Sequence, residues 1–410
     1  MPAPPAANPQ SSGRAALAFS CVGHLYAHLF EPIFYIAALV LPAELGLPYG
    51  EVLALIVAGK LLYGLLAPVA GWLGDRWSTV GMMAVYFLGL GGAAVLVGLA
   101  DGPATLAAAL ALVGLFGAIY HPVGINWLLR NAVDRGKAIG VNGVFGGIGP
   151  AVAGLVAGGL IEAFGWRAAF VVPGLAVLLT GAVFLLVLAR GWVVETRIDR
   201  VLVPPASRGD TVRAGLVLSL TMLCGGLVYQ ATQPALPKLF AERLGDGAGI
   251  GEAAAAVSAV YLAAGLTQVL AGHLADRFPA KWVYLLAYLG QVPLLALCAW
   301  AAGLPLVLAA TLAVAFNMAA IPAENLLLAR YTPARWRGTA FGMKFVLSFG
   351  VSGLAVPLVS LLHGATGGFA VLFWLMAAAA LVVVAAALAL PGEKKAASPE
   401  GWRPSPEGRR

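Results

Sequence analysis

Charge is in short supply in this chain. Only 10% of its 410 residues are Asp, Glu, Lys or Arg, against about a quarter in an ordinary soluble domain. A water-soluble fold of this size needs a charged skin, so the deficit excludes one. Cysteine is scarce as well: Cys21, Cys224 and Cys298 stand singly inside apolar stretches, which excludes a disulfide framework or a zinc knuckle and leaves them as packing residues. A Walker-type phosphate loop is missing, and so is any nucleophile, base and orienter set. Neither ATP-driven work nor hydrolysis is therefore expected, and no cofactor and no resident metal. Met1 to Ser12 is rich in Pro and Ala without a basic leader, which argues against a cleaved signal peptide.

What the chain has is apolar length. Hydrophobic residues make up 61% of it, and the mean hydropathy is +0.90. They come in blocks near the ~20 residues that cross a bilayer as a helix. Twelve such blocks fall at about 15–41, 50–73, 79–100, 104–129, 138–163, 168–190, 214–240, 252–275, 281–302, 304–329, 339–363 and 367–390. Each must be helical, because an open strand would leave backbone groups unpaired in hydrocarbon. The 52 glycines suit close helix approach, and the run from Gly140 to Gly149 lies inside an expected span with no strand before it, so it reads as helix packing and not as a nucleotide loop.

The chain is also written twice. Gly71-Trp72-Leu73-Gly74-Asp75-Arg76 returns as Gly272-His273-Leu274-Ala275-Asp276-Arg277, Pro122 and Arg130 as Pro322 and Arg330, Arg135 to Gly140 as Arg337 to Gly342, and Cys21 and Tyr26 as Cys224 and Tyr229. The offsets stay within 200–203 residues, so two homologous halves are expected. They divide into an arm (1–14), a first six-helix bundle (15–190), a linker (191–213) that contains Pro204-Pro205, a second bundle (214–390) and a tail (391–410).

With the N-terminus inside, 20 of the 25 Lys and Arg residues fall in cytoplasmic segments, so both termini are expected in the cytoplasm. This also accounts for the net charge of +7 without nucleic acid, since the basic residues are dispersed over many short loops. Trp72 and Trp282, near span ends, read as interface anchors.

Twelve spans in two halves, with the G-x-x-x-D-R run after spans 2 and 8, resemble the major facilitator superfamily of secondary transporters over about residues 14–391. The resemblance implies that Asp75, Arg76, Asp276 and Arg277 belong to a cytoplasmic gate. Ala118-Ile119-Tyr120-His121-Pro122-Val123-Gly124 looks like a signature of fosmidomycin-resistance-type efflux proteins, and Gly149-Pro150-Ala151-Val152-Ala153-Gly154 partly matches that of drug/proton antiporters. The arginine that the antiporter pattern places near Val113 is absent.

An ionisable side chain at membrane depth costs at least ~2.5 kcal/mol, so each requires a reason. His24, His28 and Glu31 lie at i, i+4 and i+7 on one helix face, with Tyr35 a further turn on. From Arg14 to Glu31 is roughly 25 Å of rise and from Lys60 to Asp75 roughly 22 Å, which sets Glu31 and Lys60 at one depth, outward of centre. They are expected as a charge pair, either structural or as joint substrate and proton ligands. The histidines are open to three roles: polar packing, proton relay or substrate contact, and a metal-ion path. Glu324 and Lys344 lie on consecutive spans, each roughly 9 Å from the cytoplasmic end, and form a second candidate pair. Tyr26, Asn126, Asn142, Tyr229, Gln230, Gln233, Asn317 and Asn325 supply neutral hydrogen-bonding groups, some for a cavity and the rest for helix bridging.

The expectation is an all-α integral membrane protein of the bacterial inner membrane, a monomer that moves a small organic solute by rocking one half against the other. Protons are the expected coupling partner, through Glu31, Glu324, His24 and His28, with Lys60 and Lys344 among the substrate-cavity candidates. Export is favoured over uptake or exchange of an organic anion. A metal-ion transporter and a non-transporting sensor or scaffold are the remaining alternatives.

Overall fold

The computed structural model describes residues 9–132, 135–193, 207–245, 249–333 and 337–392. Most of the expected linker and tail, with Arg197, Arg200, Arg335, Lys394, Lys395, Arg403, Arg409 and Arg410, lies outside the described residues, as do residues 1–8 of the arm.

Among the described residues every regular element is a helix. Ten are long and apolar enough to cross a membrane unaided: Thr79–Gly98, Pro103–Asn131, Ala138–Phe164, Ala168–Ala189, Arg208–Arg243, Ile250–Arg277, Ala280–Cys298, Gly303–Tyr331, Thr339–Thr366 and Ala370–Leu388. These are spans 3 to 12 in chain order. Span 2 is a pair, Tyr49–Leu65 and Ala67–Arg76, bent by 44°. Span 1 is Pro9–Ala27 followed by Phe30–Ala37.

Both breaks have a proline behind them. Pro32 offers no N–H to His28 and its ring crowds that carbonyl, so the helix opens at His28 and Leu29. Pro68 does the same to Gly64, and the bend falls at Leu66. Two further spans widen into single π-helical turns, Tyr120–Gly124 in span 4 and Val346–Gly350 in span 11. Such turns often mark functional positions in a helix. Where spans start in water they are capped: the Ser78 hydroxyl accepts from Gly81 N at 2.9 Å, and that of Ser207 from Asp210 N at 3.1 Å.

Leucines at positions such as Leu155, Leu179, Leu216, Leu308 and Leu361 stand more than half exposed, which is the surface that lipid covers. Trp72 and Trp282 are also exposed, near the ends of their spans.

The halves meet through span 5 against span 8 and span 2 against span 11. At Gly147 a Cβ would stand 2.8 Å from the Gly265 Cα, so neither residue tolerates a side chain while the two spans touch. The contact continues through Gly154 beside Ser258 and ends with the Glu162 carboxylate accepting from Gly251 N at 2.8 Å. At the same end Tyr49 donates to the Pro234 carbonyl at 3.3 Å. Toward the opposite end the spans part. Gly140 and Gly272 have nothing within 4 Å of a Cβ, and Asp276 and Arg277 are exposed. Spans 5 and 8 are thus closed on one side and splayed on the side of the repeated Asp-Arg motif, while spans 2 and 11 still touch there through Ala67–Arg76 and Arg337–Phe345.

Candidate functional site

Three polar groups occupy the interior, two of them where the halves meet and one inside the second half. The first is built on the broken part of span 1. Glu31 forms an ion pair with Lys60 of span 2 and accepts from the Tyr35 hydroxyl at 3.1 Å. Lys60 is 4% exposed, and its ammonium also donates to Gln230 Oε1 of span 7 at 2.9 Å. Gln230 in turn donates to the Ser348 carbonyl in the π-turn of span 11 at 3.3 Å. One charge pair of the first half is therefore tied to two spans of the second.

The second group lies within the second half. Glu324 and Lys344, both buried, pair at 2.8 Å. Tyr284 donates to the other Glu324 oxygen at 3.0 Å, and Lys344 donates to Asn325 Oδ1 at 2.6 Å. Each charge has a neutral partner besides its counter-ion, the condition under which a buried pair is tolerated.

Between them lies a cluster of imidazoles. His24 and His28 of span 1 meet His121 of span 4, with ring centroids 5.0–5.3 Å apart. The break at His28 and the π-turn at His121 place the rings together. Gly146 of span 5 provides the space, since a Cβ there would overlap the His24 ring. His24 Nδ1 is 2.8 Å from the Asn142 carbonyl, which can only accept, so Nδ1 carries the proton. His121 Nδ1 is 3.0 Å from the Tyr63 hydroxyl. Phe345 and Phe349 of span 11 cover His121 from the other half, at 5.1 and 5.5 Å between centroids.

The remaining candidates divide. Asn142 donates to the Tyr120 hydroxyl at 2.8 Å and stays beside the cluster. Gln233 is buried and donates to Tyr229 at 2.6 Å. Asn317 faces a small void inside the second half together with Gln291 and Tyr229. Tyr26 is turned to Thr180 of span 6 at 3.1 Å, a bridge within the first half. Asn126 lies near Asp75 at the splayed end, with 3.4 Å between polar atoms. There Asp75 is paired at 2.6 Å with Arg130 of span 4, whereas Arg76 is exposed, so the latch drawn by this structure joins spans 2 and 4 of one half.

Sequence reasoning did not assign roles to His121, Tyr63, Tyr284 or Arg130. His121 stood inside the Tyr-His-Pro run and Arg130 in the repeat, but neither signal states which span the side chain faces. The fold adds His121 to the two histidines whose spacing on span 1 was visible in the sequence.

Helices throughout, duplicated halves and one charge pair tied across their junction are the marks of a membrane transporter of two bundles. The family model of the Major Facilitator Superfamily matches residues 20–245 and 218–408, and the chain belongs to that superfamily. It is a multi-pass membrane transporter and not an enzyme. It is 24% identical over 383 residues to the fosmidomycin resistance protein of Escherichia coli, which covers 88% of this chain and 90% of that protein. Local similarity is higher to the puromycin resistance protein pur8 of Streptomyces alboniger, 42% over 116 residues, or 27% of this chain and 23% of that protein. A probable actinorhodin transporter of Streptomyces coelicolor is 33% identical over 164 residues, 38% of this chain and 28% of that protein. These last two matches thus span only about a quarter of each relative's length. A bacterial homologue of the human lysosomal transporter Spinster, solved in an inward-facing unoccupied conformation, has the same fold, with a TM-score of 0.69, 16% identity and coverage of 92% of this chain and 95% of that one.

Proposed function

We propose that this transporter is a proton-coupled exporter of a small organic solute, acting as a monomer in a bacterial inner membrane with both termini in the cytoplasm. The splayed side then faces the cytoplasm, where the substrate of an exporter enters. The observation that carries this reading is the Glu31–Lys60–Gln230 chain. It joins the halves at the closed end through a carboxylate whose side chain keeps 23% of its surface, while that of Lys60 keeps 5%. Glu31 is the member of the pair that water or substrate reaches, so it is the one placed to take up a proton and release Lys60. Protonation removes the charge that offsets the buried ammonium and loosens the tie across the halves.

The resistance proteins and the probable actinorhodin transporter among the relatives support export of an organic compound. Uptake of an organic anion is less well supported, because Lys60 and Lys344 are each already neutralised by a carboxylate. The test is flux in proteoliposomes under an imposed pH gradient. A panel of small organic compounds, puromycin and fosmidomycin among them, should move against inward proton flow. Accumulation along with the protons would overturn the export assignment.

A further inference from the structure

We propose that His24, His28 and His121 form a binding site for a borderline-soft divalent transition metal ion such as Zn²⁺ between spans 1 and 4. One ligand nitrogen from each ring lies within 4.8 Å of the other two. Three imidazoles around zinc at ~2.0–2.1 Å stand about 3.4 Å apart, so the rings need to draw in by roughly 1 Å each. The tautomers suit this. Because His24 Nδ1–H is committed to the Asn142 carbonyl, the lone pair of the neutral ring is on Nε2. A ligating histidine ordinarily has its other nitrogen fixed by a carbonyl or similar partner. The Tyr63 hydroxyl at His121 Nδ1 supplies the same kind of support. His28 has no hydrogen-bond partner among the described residues and is free to turn a nitrogen inward. Nitrogen ligands with no carboxylate among the three suit zinc, copper or nickel over magnesium or calcium. Phe345 and Phe349 close the cluster on the side of the second half, so an ion held here also lies against the moving interface.

The site is independent of the direction of transport, and its test does not use flux. Purified full-length protein, freed of any affinity tag and of metal, is titrated with Co²⁺ while the visible d–d bands are recorded, and then with Zn²⁺ in competition. The expected result is one ion per chain with the intense absorption of four-coordinate cobalt. His24→Gln, His28→Gln and His121→Gln should each weaken binding at least about 100-fold, and Tyr63→Phe about 10-fold. His273→Gln and His363→Gln, the two histidines outside the cluster, should leave it unchanged. Wild-type protein that shows no saturable binding up to about 1 mM, or only the weak bands of six-coordinate cobalt, would overturn the site whether or not the variants fold. Equal binding by the triple variant would do the same.

Discussion

Glu31→Gln should lower the stability of the purified transporter by about 3–5 kcal/mol, whereas Glu31→Gln combined with Lys60→Met should return it to within ~1 kcal/mol of the parent. The single change leaves the Lys60 ammonium, 4% exposed, with only neutral amide oxygens as partners and no counter-charge. The double change removes the desolvated charge along with its partner, and a thioether fills much of the volume of the lysine stem. Proton-driven flux should be lost in both, because a coupling carboxylate is absent from both. This difference between stability and transport separates the coupling role from the structural one. Thermal unfolding in detergent and flux in proteoliposomes measure the two quantities. A double variant that transports at the parental rate would reduce the pair to scaffolding.

Gly147→Val should drive the transporter out of the conformation described here. Its side chain would have to occupy the space of the Gly265 backbone, and backbone cannot rotate aside as a flexible side chain can. The cost, about 1–3 kcal/mol for overpacking, falls only on the state in which spans 5 and 8 touch. The population of the closed side therefore drops by roughly 5–150-fold. Ser258, buried beside Gly154 in the same seam, reports the change. In a background lacking Cys21, Cys224 and Cys298, Ser258→Cys should react slowly with a membrane-impermeant maleimide. Adding Gly147→Val should make it react many times faster from the side closed here. Unchanged labelling would mean that the seam is not a gate.

The architecture was legible because membrane helices announce themselves by length and because the duplication left the same motif at the same border in each half. Depth was legible too. Counting rise from Arg14 and back from Asp75 placed Glu31 level with Lys60, and the fold pairs them. Direction around each helix was not. Most spans are apolar on every side, so no stripe distinguishes the face toward the partner half from the face toward lipid. Tyr26 and Asn126 consequently read like Gln230 and Asn142, although the first two are occupied by Thr180 and Asp75. Local departures from ideal helix were equally hidden. The break at His28 and the π-turn at His121 rotate side chains away from the 100° per residue on which a helical wheel depends, and the imidazole cluster exists because of both.

The most direct test of two halves opening alternately about this polar centre is a pair of spin-label distances in the reconstituted transporter. One pair sits at the splayed end on Arg76 and Arg277, the other at the closed end on Glu51 and Thr366, all of them exposed. Acidification or a transported solute should shorten the first distance and lengthen the second in the same sample. Two distances that stay fixed, or that lengthen together, would contradict alternating access.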